Sequence, residues 1–99
     1  MLNIRKSIEN ESAVIELEGR LDTVTAPELE KELKDSLAGL RQLTLDFEKL
    51  EYISSAGLRV LLSAQKQMSR QGGMKLIHVG EIIMEVFEVT GFSDILTIE

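Results

Sequence analysis

Apolar residues open the chain on one parity, Leu2, Ile4 and Ile8, interrupted by Lys6, which predicts a half-buried strand. Glu9-Asn10-Glu11-Ser12 is polar turn chemistry. Ala13, Ile15 and Leu17 then face one way and Glu16 and Glu18 the other, so the two runs predict an antiparallel β-hairpin. After Gly19–Val24 the period becomes helical. Leu29, Leu33, Leu37 and Leu40 form one stripe, Thr25 and Glu28 have capping-box spacing, Pro27 falls in the first turn, and Gly39 marks the end. Glu30–Lys34 and Lys31–Asp35 are i,i+4 pairs on a solvated face.

Leu43, Leu45 and Phe47 predict a third strand, followed by a polar loop. Ser54-Ser55-Ala56-Gly57 opens a second helix carried by Leu58, Leu61, Leu62, Gln65 and Met68 and stopped by Gln71-Gly72-Gly73. Met74–Val79 reads as a fourth strand. A third helix starts at Gly80-Glu81, turns Ile82, Ile83, Val86, Phe87 and Thr90 inward, and ends at Gly91. Ile95–Ile98 offers a short last strand. The order β-β-α-β-α-β-α-β predicts a single α/β domain over residues 1–99. Its sheet is mixed, mostly parallel and of about five strands, with an N-terminal β-hairpin and three helices.

Composition narrows the function. Ninety-nine residues support one core, and 43% hydrophobic content with 4% aromatics makes it aliphatic. The absence of cysteine excludes a disulfide framework, a thiolate metal site and a cysteine nucleophile. No apolar run approaches the ~18 residues of a membrane span, and the start lacks a signal-peptide block. No membrane insertion and a cytoplasmic location are therefore expected. The net charge of −6 comes with scattered Lys and Arg, so nucleic acid is not an expected partner.

Catalytic chemistry is poorly provided for. Hydrolysis needs a nucleophile with a base, and the single histidine, His78, falls inside a predicted strand, where it reads as a core residue. One imidazole and no thiol argue against a metal site. Asp46, Glu48 and Glu51 follow no calcium-loop spacing and read as solvated charge. Both glycine-rich phosphate motifs are missing. Neither an enzyme, a cofactor nor a metal is expected.

The distinctive stretch is the junction between the third strand and the second helix. Ser55 is a candidate N-cap, and two adjacent serines stand where a cap needs one. Ala56 and Gly57 leave that helix end open, with free N–H donors and a partial positive charge. Asp22, in a Leu-Asp-Thr turn, is expected either to bind its own backbone or to share the rim where successive β–α loops emerge.

Leu45-Asp46-Phe47, Leu50, Tyr52-Ile53 and above all Ser54-Ser55-Ala56-Gly57-Leu58 resemble the STAS domain family, and within it the free-standing bacterial anti-anti-sigma factors (anti-sigma factor antagonists). Leu17–Asp22 with Thr25, Gly72-Gly73, and Phe87 with Gly91-Phe92 extend the likeness over nearly the whole chain. The resemblance implies a phosphoprotein in a partner-switching circuit. Its unphosphorylated form binds an anti-sigma factor serine kinase of the GHKL type and frees the sigma factor. Phosphorylation ends that binding, and a metal-dependent serine phosphatase resets it. Carried across by position, the phosphoserine falls on Ser55, with Ser54 as second choice. Ser54 stands where the family commonly has Asp. The partner surface is expected at Asp22, Thr23, Ser54, Ser55, Ala56, Gly57, Leu58 and Arg59. Members often carry a further C-terminal helix, and none is expected here after Ile98. The resemblance also admits two alternatives: an unphosphorylated structural subunit of a lipid-transport or signalling assembly, or a small-ligand sensor using the Ser54–Gly57 helix end.

Overall fold

The computed structural model describes residues 1–99. The elements are β1 (Leu2–Glu9), β2 (Ser12–Leu21), α1 (Ala26–Ser36), β3 (Gln42–Ile53), α2 (Ser55–Gln71), β4 (Gly73–Ile77) and α3 (Glu81–Thr90), then a short 3-10 turn over Phe92–Asp94. The sheet order is β1-β2-β3-β4, with β1 antiparallel to β2 and the other pairs parallel. This is the expected mixed α/β sheet behind a hairpin, with four full strands. The expected fifth strand, Ile95–Ile98, is reduced to one parallel bridge between Ile98 and Leu76. The 3-10 turn occupies the residues that a strand would need for its approach.

All three helices lie on one face of the sheet. Ala13, Ile15 and Leu17 of β2 and Leu43, Leu45 and Phe47 of β3 are almost fully buried beneath them. The rings of Phe47 and Phe87 pack 6.3 Å apart and bring α3 onto that face. Leu58, Leu61 and Met68 seat α2 there, each burial stabilising by about 1.5–3 kcal/mol. Lys6 shares the inward parity of Leu2 and Ile4, and its Nζ lies 2.8 Å from Ser36 Oγ and 3.2 Å from Glu32 Oε1. That contact accounts for the charge interrupting the first apolar run, and an inward lysine also discourages pairing at an edge strand. The opposite face carries Asn3, Arg5, Glu16, Glu18, Asp46 and Lys75 and bears no helix.

Several local expectations need correcting. β3 does not give way to a loop after Phe47: it continues to Ile53. Two register shifts against β2, between Glu16 and Glu18 and between Gly19 and Arg20, change its buried positions from alternation to Phe47, Leu50 and Ile53. A bulge adds residues to one strand and breaks the two-residue period, so the segment looked polar. β4 ends at Ile77, leaving His78 outside the strand with φ 57° and its side chain 55% exposed. In α3, Ile83 and Phe87 are buried, but Ile82 is 71% exposed and Thr90 is exposed.

Candidate functional site

Two β–α junctions meet at one rim of the sheet. The N–H of Ser54, at the end of β3, donates to the Leu21 carbonyl at the end of β2 (2.9 Å). Behind this bond Gly57 packs directly onto Leu21 and Ile53, both buried. The β2–α1 turn and the β3–α2 junction are thereby locked side by side.

The β2–α1 turn is held by Asp22 and Thr25. Asp22 Oδ1 accepts the N–H groups of Val24 and Thr25, both at 3.0 Å, and the Thr25 hydroxyl at 3.1 Å. The Thr25 hydroxyl accepts the Asp22 N–H (2.8 Å) and lies 2.7 Å from the Arg20 carbonyl. Thr25 is the N-cap of α1 by position, but its backbone is helical and its side chain caps nothing, so the expected capping box with Glu28 does not form. The hydroxyl is already engaged by the turn. The Thr25 N–H, aided by the Thr25 hydroxyl and the Val24 N–H, holds the Asp22 carboxyl below its usual value. Arg20 stacks 4.2 Å over the Tyr52 ring, with its Nε 3.8 Å from Asp22 Oδ2. Asp22 thus binds its own backbone, and the residue before it, Leu21, joins this turn to the Ser54 junction.

At the second junction the residue that caps is Ser54, not Ser55. Ser54 has extended backbone, and its Oγ accepts the Gly57 N–H at 3.4 Å. Ser55 is the first residue of α2 and is exposed. One serine finishes the helix, and the other presents its hydroxyl to solvent beside first-turn N–H groups that precede any intrahelical acceptor. Thr23 and Arg59 are exposed and Ala56 is half-buried, whereas Gly57 and Leu58 are buried. Leu58, 6% exposed, belongs to the core. Val24, in the turn next to Thr23, is 78% exposed and was missed in the sequence. Its only signal was a β-branched apolar residue inside a polar turn.

A second grouping lies where β3 and β4 end their pairing. His78 Nδ1 is 2.9 Å from Asp46 Oδ1 and 3.8 Å from Glu48 Oε1. Burial opposes ionisation of Asp46, but the Glu48 N–H and His78 outweigh it and lower the carboxyl's pKa. The hydrogen bond and charge of Asp46 raise that of His78. The reading of His78 as a core residue is thus wrong, because the chain leaves β4 one residue before it.

No helix is long and apolar enough to cross a membrane. The STAS-domain family model described as "Mlab, STAS domain" matches residues 4–97. BtrV of Bordetella bronchiseptica, assigned as an anti-sigma factor antagonist, is 40% identical over 84 residues, 83% of this chain and 72% of its own. A solved anti-sigma factor antagonist from Mycobacterium paratuberculosis superposes with a TM-score of 0.89 at 21% identity, covering 99% of this chain and 85% of the other. The Bacillus cell-fate determinant SpoIIAA in its phosphorylated form gives 0.74 at 18%, covering 100% and 91%. The chain belongs to the STAS domain family, where its relatives are anti-sigma factor antagonists, regulatory binding proteins rather than enzymes.

Proposed function

We propose that this protein is a phosphorylation-controlled anti-sigma factor antagonist acting in the cytoplasm. In its unphosphorylated form the rim binds an anti-sigma factor serine kinase of the GHKL type and releases the sigma factor. Phosphorylation of Ser55 ends the binding, and a metal-dependent serine phosphatase restores it. The observation that carries this reading is the division of labour between the two serines: Ser54 spends its oxygen on the Gly57 N–H, while Ser55 stands exposed at the first position of α2. The structural neighbour SpoIIAA, solved in a phosphorylated form, supports it by analogy.

The physics of the switch is local. A phosphate adds roughly −1.5 to −2 charges and three acceptor oxygens. At a helix N-terminus the dipole and the free N–H groups tolerate that charge, so the fold persists. A partner closed over Thr23, Val24, Ala56 and Arg59 would have to bury it, and an unpaired buried charge costs several kcal/mol. Since each 1.4 kcal/mol is about tenfold in affinity, binding is lost without unfolding.

The test is a pull-down from host lysate on the immobilised protein, followed by ATP and Mg2+. Release of an ATPase-domain protein with phosphate mapped to Ser55 is the expected result. Retained transport or scaffold subunits, with no phosphate on Ser54 or Ser55, would replace this reading with that of a structural subunit.

A further inference from the structure

The bare face of the sheet holds three metal-ligating groups from two separate segments. One carboxylate oxygen each of Asp46 and Glu48 and the Nδ1 of His78 all lie within 4.8 Å of one another. Metal–nitrogen and metal–oxygen bonds of about 2.0–2.2 Å place neighbouring ligands about 3.0–3.5 Å apart. The two distances from His78 Nδ1, 2.9 Å to Asp46 and 3.8 Å to Glu48, bracket that spacing. We propose that Asp46, Glu48 and His78 bind a borderline divalent transition-metal cation, with Zn2+ and Ni2+ as the fitting examples, and that the ion clasps the β4–α3 connection to β3.

The donor set distinguishes this place from ordinary surface acidity. An imidazole nitrogen with two carboxylates suits zinc, nickel or copper, whereas calcium and magnesium call for oxygen alone. The Asp46 side chain is 18% exposed and is fixed by accepting the Glu48 N–H at 3.0 Å, so one ligand is already oriented. Glu48, 69% exposed, is free to swing toward the ion. With His78 neutral the two carboxylates balance the ion's charge. Glu16 and Glu18 line the adjoining groove and favour a cation, and Arg5 and Lys49 in the same groove partly offset them. Water completes the coordination.

Metal-free protein titrated calorimetrically with Zn2+ and with Ni2+ should bind one ion, and Mg2+ at the same concentrations should not. Ni2+ should broaden the amide resonances around residues 46–48 and 78. H78Q and E48Q each change an exposed side chain and should weaken binding by at least about tenfold, the scale on which ligand-shell changes act, while still unfolding in one cooperative transition. The proposal is overturned if neither ion binds below millimolar concentration. It is equally overturned if either variant binds as tightly as the wild type, since the ion then sits elsewhere or lacks the third donor.

Discussion

Gly57 and Leu21 approach more closely than any residue with a side chain at position 57 would allow. A Cβ there would lie 2.7 Å from Leu21 Cγ and 2.9 Å from Ile53 Cγ1. Both neighbours are buried, at 0% and 4% exposure, and have nowhere to withdraw. In an unconstrained helix, glycine to alanine gains roughly 0.5–1 kcal/mol. Here overpacking, at about 1–3 kcal/mol, outweighs it. Gly57→Ala should therefore lower the denaturant midpoint at unchanged slope. A higher midpoint would mean that the two β–α junctions are not clamped through this contact.

The two serines should separate cleanly by assay. Ser54→Ala removes the cap of α2 and should cost up to about 1 kcal/mol, the lower part of the usual range because the bond is 3.4 Å long. Ser55→Ala touches nothing that holds the fold and should stay within about 0.5 kcal/mol of wild type. In phosphorylation the order reverses: Ser55→Ala should take up no phosphate by mass spectrometry, and Ser54→Ala should still be modified. Ser55→Asp, with about half the phosphate's charge, should stay folded and bind the partner less tightly.

Asp22 makes the rim acid-sensitive. Its pKa is lowered in the folded state, so its contribution to stability is fully present above the ordinary 3.8 and is lost as pH falls through the lower folded value. Asp22→Asn should flatten the pH dependence of unfolding in that acid window. An unchanged slope would show that the turn gains nothing from the charge.

His78 carries the opposite sign. Its pKa is raised above 6.5, so the stability it adds is present below 6.5 and is lost as pH rises through the folded value. Titrated by NMR in the presence of a chelator, its ring should ionise above 6.5. Asp46→Asn should bring the midpoint back down, because it removes the largest cause of the shift.

Most of the architecture was legible because its signals are local. The alternation of Ala13, Ile15 and Leu17 and the stripe Leu29, Leu33, Leu37 all map onto buried positions. What escaped depends on tertiary geometry. The bulges that keep β3 extended to Ile53 are set by its pairing with β2, and they turn a strand into a pattern that resembles a loop. Thr25 followed by Glu28 fits a capping box, yet the Thr25 hydroxyl is taken by Arg20 and Asp22 before the helix can use it. Which serine caps depends on a one-residue difference in where β3 stops. Asp46 and His78, 32 residues apart, meet only because β4 is parallel to β3 and ends beside it.

That unequal length of β3 and β4 has a dynamic consequence. Residues 42–46 are hydrogen-bonded to strands on both sides, whereas the stretch from Phe47 to Ile53 has only β2 beside it. Amide exchange should therefore be graded along one strand, slowest near Leu45 and faster toward Ile53, because backbone held from one side opens more readily. The serine loop grows from the looser end.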